Sequence, residues 1–427
     1  MTAPPVWILA GVRTPFAKAG GVLKRTPVYD LGRVATSEVL ARQDVDPKRL
    51  DEVIFGNCGN PSEAANVARI TALLAGVPEP VPAVTVHRNC ASGMEAVADA
   101  AYRIQSGAAH LVLAGGMESM SQMPLLFSSA YGEWLETLMR AKTPMQKLGV
   151  FTRFRPAMLA PRIALAEGLT DYVCGLNMGQ TAEVLSREFR ITRLQQDEFA
   201  LMSHQRAVAA RERLREEIAP LFVAPGFDVV RDDVGPRDNQ TLEALGKLKP
   251  YFDRRNGTVT VGNACQVTDG AVALLIGDDA TARRWPVPPL GRIRSFAFAG
   301  LSPRRMGLGP VFAADRALAG ASLSLSDCEL FEINEAFAAQ VLACIRAAES
   351  ESFAKSELSR SKPLGEFPLD RLNVNGGAIA LGHPVGASGA RLLLTILMEM
   401  RRRRLKRGLA SLCVGGGQGA AFVLERD

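Results

Sequence analysis

Four side chains of this 427-residue sequence combine reactive chemistry with nearby glycines. They are Cys90, Asn334, His383 and Cys413. A cysteine and a histidine brought together are a common way to activate a thiol nucleophile. Glycine amides that carry no side chain can point at a developing oxyanion. These residues therefore indicate nucleophilic chemistry, provided that the fold brings them together.

Cys90 lies between a β-type run at 81–86 and a helix-type run at 94–106. This position places its thiol at the N-terminus of a helix. The helix dipole is expected to lower the thiol pKa there and to favour the thiolate, which is the nucleophilic form. The alternative is a buried structural cysteine, which is the more frequent role of a lone cysteine.

The other three residues have structural alternatives as well. His383 lies in a loop of Gly, Pro and Ser residues that offers no helical face to pack on, which favours a functional role. Cys413 ends an apolar run just before Gly415, where a tight turn is an equally good explanation. Asn334 follows a buried strand pattern, and it could cap the next helix or hold a water molecule for an oxyanion site.

Strand and helix patterns alternate through the first 119 residues. The alternation predicts an α/β fold with a parallel sheet covered by helices on both faces. The predicted strands are 6–12, 51–55, 81–86 and 111–114, and the predicted helices are 30–42, 64–75 and 94–106.

The last third of the sequence repeats this order. Residues 327–334 parallel 50–57, residues 387–389 parallel 91–93, and the strand that ends in glycines at 415–417 parallels the one that ends at 115–116. The agreement indicates an internal duplication. Equivalent loops of two such halves should meet across a pseudo-twofold axis, at the strand ends where α/β proteins bind ligands. The four reactive residues all lie on such loops.

The pattern changes between residues 120 and 245, where the segment reads as a largely helical, loop-rich insertion. Strand patterns return at 258–261 and 271–276. We therefore expect an N-terminal half of residues 1–119 with 246–284, an inserted loop domain of residues 120–245 over the substrate pocket, and a C-terminal half of residues 285–427.

Composition excludes several other classes of protein. With 47% hydrophobic and 22% charged residues, the sequence is typical of globular proteins, and it has no apolar run long enough to span a bilayer. Seven scattered cysteines do not resemble a disulfide framework and suit a reducing compartment. Because no targeting segment is visible either, we expect a cytoplasmic protein. No cluster of metal-ligating residues is required.

Two groups of basic residues stand out within a net charge of +6. The basic run at 401–407 is predicted to be the solvated end of an amphipathic helix. Six Lys and Arg residues between 140 and 162 could contact the phosphates of coenzyme A, an acidic membrane surface or a partner subunit. We expect no binding to nucleic acid, because no recognised module or stacking aromatics accompany the charge.

Five sequence blocks, taken in order, resemble the thiolase family over nearly the whole chain. A single block would be a weak signal, but all five occur within a duplicated α/β sequence. The blocks are 89–93 (NCASG), 261–264 (VGNA) with 268–271 (TDGA), 334–337 (NEAF), 382–384 (GHP) and 413–417 (CVGGG). The resemblance implies the duplicated thiolase fold, with two α/β halves in α-β-α-β-α layers and an inserted loop domain.

The resemblance also implies a ping-pong acyl transfer. In such a reaction Cys90 attacks an acyl-CoA carbonyl and forms an acyl-enzyme, and His383 takes the thiol proton and then polarises the second thioester. Cys413 serves as general acid and base at the carbon that leaves or attacks. The backbone amides of Cys90 and Gly415 would form one oxyanion site, and His383 with a water held by Asn334 would form the other. Coenzyme A is then a substrate, with no permanently bound cofactor and no metal.

Further positions bear on the substrate. By resemblance, Ser295 aligns with a residue that contacts coenzyme A, Met178 matches a substrate-pocket block, and Phe337 belongs to the block of Asn334. Asn177 stands where short-chain biosynthetic members usually carry histidine, which argues against a strict preference for acetoacetyl-CoA.

Other segments resemble different branches of the family. Residues 154–161, 248–252 and the extra segment 350–370 are similar to the thiolase subunit of trifunctional fatty-acid oxidation complexes, whereas 373–380 are similar to stand-alone short-chain enzymes. The resemblance implies a homodimer or homotetramer, and it leaves open a fatty-acid oxidation α-subunit or an anionic membrane surface as a partner.

Three hypotheses follow. The first is a 3-ketoacyl-CoA thiolase of fatty-acid β-oxidation, and the second is an acetyl-CoA acetyltransferase with the same mechanism. The third is a non-catalytic partner or membrane-docking subunit, which would have no need of all four reactive residues. A related decarboxylating synthase would lack the second cysteine, so Cys413 is the residue that discriminates against it.

Overall fold

The computed structural model describes residues 4–426, which fold around one mixed sheet. The strands are β1 (Val6–Arg13), β2 (Ala17–Lys18), β3 (Glu52–Gly56), β4 (Ala83–Val86), β5 (Leu111–Ser119), β6 (Leu125–Leu126), β7 (Arg162–Ile163), β8 (Leu221–Val223), β9 (Asp228–Val230), β10 (Thr268–Asp278), β11 (Gly291–Gly300), β12 (Leu330–Ile333), β13 (Arg407–Val414) and β14 (Gln418–Glu425).

Sixteen α-helices accompany these strands within residues 4–426. The helices are α1 (Val28–Arg42), α2 (Val67–Leu74), α3 (Ser92–Gln105), α4 (Ser129–Arg140), α5 (Pro144–Phe151), α6 (Ala164–Gly168), α7 (Met178–Glu188), α8 (Arg193–Ala209), α9 (Arg211–Arg215), α10 (Leu242–Gly246), α11 (Asp279–Arg283), α12 (Gly309–Ala321), α13 (Ala338–Glu349), α14 (Glu351–Glu357), α15 (Ala378–Leu381) and α16 (Val385–Arg403). No helix in this part of the chain is long and apolar enough to cross a membrane.

The predicted strands and helices of the first 119 residues are all present, with shifted ends. Helix α2 begins at Val67 rather than at 64, because the Asn66 side chain accepts the N–H of Arg69 and caps the helix there. Strand β5 continues beyond the predicted end at 114 to Ser119. It does so because its antiparallel pairing with β10 extends to that residue.

The main sheet has the strand order β12-β13-β14-β11-β1-β10-β5-β3-β4, with β2 paired to β10. The prediction of a parallel sheet was wrong. Only the pairs β3–β4, β3–β5 and β12–β13 are parallel, and the other pairs on this path are antiparallel. One cause is the tight connection between β13 and β14, where Gly416 and Gly417 take positive φ values of 89° and 79° and reverse the chain.

The two halves form five layers, because the strands of the main sheet fall into an N-terminal group and a C-terminal group that adjoin at β1 and β11. Helices α1 and α2 cover the outer face of the N-terminal strands, and α12 and α13 cover the outer face of the C-terminal strands. Helices α3 and α16 pack against each other between the two groups of strands, in a central apolar core. The layers therefore run α-β-α-β-α, as the resemblance implied.

The two central helices meet backbone to backbone near their N-termini. A Cβ atom on Gly93 would lie 2.8 Å from the Ala390 nitrogen, and one on Gly389 would lie 2.6 Å from the Met94 nitrogen. Only glycine permits this approach at either position. As a result, the loop before α3, which carries Cys90, lies beside the loop before α16, which carries His383.

Residues 120–246 contain helices α4 to α10 and two short antiparallel strand pairs, β6 with β7 and β8 with β9. Helices α7 and α8 pack against α13 of the C-terminal half. Beyond this segment, the predicted strand at 258–261 was wrong. The N–H groups of Thr258 and Val259 donate to the buried Glu183 carboxylate, each at 2.8 Å, instead of to a neighbouring strand.

Candidate active site

A cavity of about 360 Å³ opens beside Cys90. Gly415 and Met178 line it together with Cys90, so three of the predicted site residues meet there. The cavity lies where the loops of the two halves come together, at the ends of strands β4 and β13. Its volume is within the range of about 300–1,000 Å³ that small-molecule sites occupy.

The turn that carries Cys90 is held from both sides. Asn89 has a positive φ of 44°, and its amide nitrogen donates to the Gly415 carbonyl over 2.8 Å. The Ser92 hydroxyl donates to the Asn89 carbonyl over 2.7 Å and accepts the N–H of Arg88. These bonds fix Cys90 against the glycine turn of the other half.

The pKa of Cys90 does not follow the helix-terminus prediction. Burial raises the pKa of the Cys90 thiol, although the N–H groups of Gly415 and of Cys90 itself contact the sulfur and favour its thiolate. The buried carboxylate of Glu118 raises the pKa further. The expectation of a lowered pKa was therefore wrong, because desolvation of the thiolate outweighs the hydrogen bonds from the two N–H groups, and a base is needed to take the thiol proton.

His383 is a neutral imidazole with one free nitrogen. Its Nδ1 lies 2.6 Å from the Ser388 hydroxyl, which donates its own hydrogen to the Pro384 carbonyl over 3.0 Å. Ser388 must then accept from Nδ1–H, which assigns the lone pair to Nε2. Burial lowers the pKa of His383 to about 4, and Nε2 has no hydrogen-bond partner among residues 4–426.

Cys413 is buried at the end of β13. Burial raises the pKa of its thiol well above the usual value, and the neighbouring thiols Cys90, Cys344 and Cys265 add to the rise. Its side chain belongs to an apolar cluster with Phe337. Cys413 therefore carries a neutral thiol that can donate a proton.

Asn334 does not cap a helix, since α13 begins only at Ala338. Its main-chain N–H donates to the Ser411 carbonyl over 3.0 Å, but neither polar atom of its buried side chain has a partner in the described part of the protein. Buried polar atoms without partners cost free energy, so atoms of this kind commonly face an ordered water or a ligand.

The segment 263–268 ties the Asn334 loop to the His383 loop. The Cys265 N–H donates to the Ala336 carbonyl over 2.9 Å, and the Ala338 N–H donates to the Asn263 carbonyl over 2.9 Å. At its other end, the His383 N–H donates to the Thr268 hydroxyl over 3.1 Å. The sequence block at 261–271, one of the five that resemble the family, therefore connects the loop of Asn334 to the loop of His383.

Glu118 also belongs to this region. Its buried carboxylate accepts the N–H groups of Cys58 at 3.0 Å, Gly59 at 2.9 Å and Gly386 at 3.0 Å, and the Asn57 amide at 3.0 Å. It therefore joins the loop after β3 to the start of α16. The only sequence signal was a charged residue at the end of an apolar run, and its partners are far away in the chain.

The remaining predicted residues divide into two groups. Met178 and Phe337 pack on the cluster that contains Cys413, so they lie near the reactive residues. Ser295 does not line the cavity, because its hydroxyl donates to the Ala317 carbonyl of α12 over 2.6 Å, in the outer layer. This placement gives no support to a contact between Ser295 and coenzyme A. Asn177 caps α7 by accepting the N–H of Gln180 over 2.9 Å.

Within residues 4–426, no group of three or more His, Cys, Asp or Glu side chains is placed to hold a metal ion. The reactive loops carry two thiols, one imidazole, one amide and several backbone N–H groups. Such a set can form a thioester, bind an oxyanion and move protons.

Comparison with known proteins gives a consistent result. The family model for the thiolase N-terminal domain matches residues 6–280, and the model for the thiolase C-terminal domain matches residues 287–426. The 3-ketoacyl-CoA thiolase of Yersinia enterocolitica is 39% identical over 98% of this chain and 96% of its own length. The 3-ketoacyl-CoA thiolase of Pectobacterium atrosepticum is 40% identical over 98% and 95%, respectively.

Solved structures agree. The acetyl-CoA acetyltransferase of Bacillus anthracis matches with a TM-score of 0.85 and 37% identity, covering 99% of both chains. Human mitochondrial 3-ketoacyl-CoA thiolase in complex with CoA matches with a TM-score of 0.84 and 37% identity, covering 99% of this chain and 98% of its own. The chain belongs to the thiolase family and is an acyltransferase.

Proposed function

We propose that this protein cleaves 3-ketoacyl-CoA with coenzyme A, giving acetyl-CoA and a shortened acyl-CoA. The observation that carries the proposal is the Cys90 thiol, which lies in the cavity wall and contacts the N–H groups of Gly415 and of Cys90 itself. A carbonyl attacked by this sulfur would place its oxygen near the same donors. The names of the bacterial relatives support the choice of substrate.

In the first half-reaction, Nε2 of His383 takes the thiol proton and the sulfur of Cys90 attacks the C3 carbonyl of the substrate. The oxyanion accepts hydrogen bonds from the Cys90 and Gly415 N–H groups. When the carbonyl re-forms, the bond between C2 and C3 breaks and its electron pair moves to C2. The Cys413 thiol donates a proton to C2, so that acetyl-CoA leaves and an acyl-enzyme remains.

The departing enolate needs a second site for negative charge. His383 now carries a proton on Nε2, and this N–H can donate a hydrogen bond to the thioester oxygen while the proton stays on the imidazolium, alongside a water held by Asn334. The unpaired Nε2 of His383 and the unpaired amide atoms of Asn334 support this assignment. Such atoms are costly in an empty site and are satisfied when substrate and water are bound.

In the second half-reaction, the thiol of coenzyme A attacks the acyl-enzyme. The Cys413 thiolate takes the proton of that thiol, and the His383 imidazolium returns its proton to the leaving Cys90 sulfur. Both cysteines and the histidine recover their starting protonation states, so the cycle closes without a cofactor or a metal.

A thiolysis assay tests the proposal. Purified protein is given coenzyme A and 3-ketoacyl-CoA of several chain lengths, and acetyl-CoA is measured. We expect cleavage by the wild-type chain and a loss of at least about 1,000-fold in Cys90→Ala, which lacks the nucleophile. Failure to cleave any chain length would remove the proposal. Cleavage of acetoacetyl-CoA alone would favour the acetyl-CoA acetyltransferase alternative, which the Bacillus anthracis neighbour suggests.

We infer a homodimer that forms through β4. This strand ends the main sheet, its four residues are half-buried, and its outer edge has no strand partner among the described residues. Nearby, Tyr102 is 57% exposed and packs edge-on against Phe296 at 5.1 Å. Open edge strands with apolar neighbours readily pair with another chain. Light scattering after gel filtration distinguishes a dimer from a monomer or a homotetramer.

We further infer that the segment of residues 125–163, which contains α4 and α5, docks on an anionic membrane surface. Helix α4 has no buried side chain, and Met139, Met145 and Leu148 are 80%, 79% and 62% exposed. The segment carries six Lys and Arg residues against two Glu. Exposed apolar side chains beside basic ones are typical of surfaces that bind anionic lipid.

Vesicle co-sedimentation tests this docking surface. We expect binding to vesicles that contain anionic lipid, little binding to neutral vesicles, and loss of binding in Met145→Glu. Binding to neither kind of vesicle would contradict the inference and favour an α-subunit of a fatty-acid oxidation complex as the occupant.

The cellular compartment, the metabolic pathway and the domain division are also inferences. All seven cysteines are free thiols, which suits the reducing cytoplasm, and the proposed reaction belongs to fatty-acid β-oxidation. We retain the division into an N-terminal half of residues 1–119 with 246–284, a loop domain of residues 120–245 and a C-terminal half of residues 285–427. Helices α6 and α7 of the loop domain contribute to the cavity wall, which supports its assignment as the cover of the substrate pocket.

A further inference from the structure

We propose that Glu335 is a positioning residue, which holds the loop of Asn334 against the segment that leads to His383. Glu335 follows Asn334 directly in the chain. The inference rests on the proposed function, because it assumes that Asn334 and His383 serve one oxyanion site. It adds a residue that does not act on the substrate itself but sets the geometry of that site.

The Glu335 carboxylate is buried and accepts three hydrogen bonds. Glu335 is 1% exposed. The donors are the Ser203 hydroxyl at 2.6 Å, the Asn373 amide at 2.9 Å and the Ile379 N–H at 3.2 Å. The Ser203 hydroxyl accepts the N–H of Gly377 over 3.2 Å, so its single hydrogen serves the carboxylate. Burial raises the pKa of Glu335, but its three partners all donate and are satisfied together only by the anion.

The Asn373 side chain ties this carboxylate to the end of β12. Its Oδ1 accepts the N–H of Ile333 over 2.9 Å, and its Nδ2 donates to the Ile333 carbonyl over 2.9 Å as well as to Glu335. Asn373 has a positive φ of 48°, a conformation that asparagine adopts more readily than most residues. One side chain therefore holds the residues on both sides of Asn334.

The other end of the contact lies on α15. Ile379 belongs to this short helix, and only Gly382 separates the helix from His383. The approach is close, because a Cβ atom on Gly377 would lie 2.3 Å from the carboxyl carbon of Glu335. A single carboxylate thus bridges the strand end beside Asn334 and the helix that precedes His383.

The two reactive residues differ in how they are held. The His383 ring bonds to the Ser388 hydroxyl, and its N–H donates to the Thr268 hydroxyl. The Asn334 side chain has no hydrogen-bond partner among residues 4–426, so its position depends on the backbone of its own loop. Loss of the Glu335 bridge should therefore displace Asn334 rather than His383. A shift of about 1 Å at such a site can cost about 100-fold in rate.

The test compares two rates in Glu335→Gln, namely thiolysis of 3-ketoacyl-CoA and stopped-flow acylation of Cys90 by acetyl-CoA. Glutamine places a donor nitrogen where a carboxylate oxygen accepts, so two donors face each other and the bridge opens. We expect kcat for thiolysis to fall about 10- to 100-fold while acylation stays within about threefold.

Ser203→Ala is a milder variant, because it removes one donor and keeps the carboxylate. It should lower the ratio of thiolysis to acylation in the same direction by a smaller factor. Urea unfolding shows whether each variant is folded. If Glu335→Gln does not fold, Ser203→Ala carries the comparison, and an unchanged ratio there would overturn the inference.

Glu399→Gln is the matched control. Glu399 is also buried and accepts the amide of Asn375, two residues after Asn373, at 3.0 Å. Its other partners are Arg402 and Arg403 near the end of α16, away from the Asn334 loop. Both rates of Glu399→Gln should therefore match those of the wild type.

A double-mutant cycle with Asn334→Ala separates positioning from general weakening of the fold. When Glu335 acts through Asn334, Glu335→Gln should slow thiolysis by less than about threefold in the Asn334→Ala background. Additive losses, or equal losses in thiolysis and acylation, would overturn the inference and leave the proposed function standing. A wild-type protein that cleaves no 3-ketoacyl-CoA would instead contradict the proposed function, and the inference would fall with it.

Discussion

The Ser388 hydroxyl accepts Nδ1–H of His383 over 2.6 Å while it donates to the Pro384 carbonyl over 3.0 Å. The hydroxyl has a single hydrogen, and it donates that hydrogen to the Pro384 carbonyl. This arrangement holds the imidazole in one orientation and in the tautomer that leaves Nε2 as the proton acceptor. Ser388 is therefore a positioning residue that acts through His383.

Ser388→Ala should lower the rate of Cys90 acylation by about 10- to 100-fold, because the imidazole loses its orientation and its preferred tautomer. Ser388→Thr keeps the hydroxyl and should recover much of the rate. Stopped-flow acylation by acetyl-CoA measures both. If Ser388→Ala acylates as fast as the wild type, the hydroxyl has no role in positioning the base.

Burial is the main cause of the raised pKa of the Cys90 thiol, and the Glu118 carboxylate adds to it. Removing the negative charge of Glu118 should lower that pKa. Glu118→Gln should therefore increase the rate of Cys90 alkylation by iodoacetamide a few-fold at pH 8, below the thiol pKa. Glu118→Asp retains the charge and provides the control. Equal acceleration in both variants would indicate a loosened loop rather than an electrostatic effect.

Arg391 and Glu332 form a buried ion pair at 2.9 Å in the central layer. Removing the cation in Arg391→Met leaves a buried carboxylate unpaired, which should cost about 3–5 kcal/mol of unfolding free energy at pH 8. The exposed pair of Arg140 and Glu136 is the comparison, and Arg140→Met should cost less than about 1 kcal/mol.

The cost of Arg391→Met should depend on pH. Burial raises the pKa of Glu332 to about 7, above its ordinary value of 4.5, so the folded protein binds this proton more tightly than the unfolded chain. That contribution to stability is complete below pH 4.5 and is lost as the pH rises through 7. Without Arg391 the carboxyl takes up its proton at still higher pH, so the deficit measured by urea unfolding should be smaller at pH 6 than at pH 8. An equal deficit at both values would contradict this.

Cys413 should be dispensable for the thioester and essential for the carbon–carbon step. Cys413→Ala should still form an acetyl-enzyme from acetyl-CoA, but thiolysis of 3-ketoacyl-CoA should fall by about 100- to 10,000-fold without its proton transfer. Cys344→Ala is the control, because it removes a neighbouring buried thiol that donates to the Gly307 carbonyl and packs in the core of the C-terminal half, and it should retain activity. Unchanged thiolysis in Cys413→Ala would exclude a mechanism with two cysteines.

The sequence predicted the fold far better than it predicted the pKa of the Cys90 thiol. Repeated blocks around Cys90 and around His383 revealed the duplication, because both halves keep the same strand, turn and helix order. The raised pKa of Cys90 could not be predicted in this way. It depends on burial and on the Glu118 carboxylate, which only the folded chain places beside the thiol.

The same reason explains why the surroundings of single residues could not be predicted. Ser295 follows a family pattern in the sequence, and its hydroxyl donates to the Ala317 carbonyl of α12. Its contact with coenzyme A stays a prediction. Glu118 draws its partners from two distant segments, 57–59 and the loop at 386, which no local pattern connects. Local patterns indicate strands and helices, whereas the partners of a buried polar group depend on how distant segments pack.

The most direct test is to locate the acyl group. The protein is mixed with 3-ketoacyl-CoA in the absence of free coenzyme A, its intact mass is measured, and the modified peptide is sequenced. We expect one acyl group on Cys90, no acylation of Cys90→Ala, and normal acylation of Cys58→Ala, which lacks the other thiol of the cavity wall. An acyl group on a different residue, or an unmodified wild-type protein, would contradict the proposed mechanism.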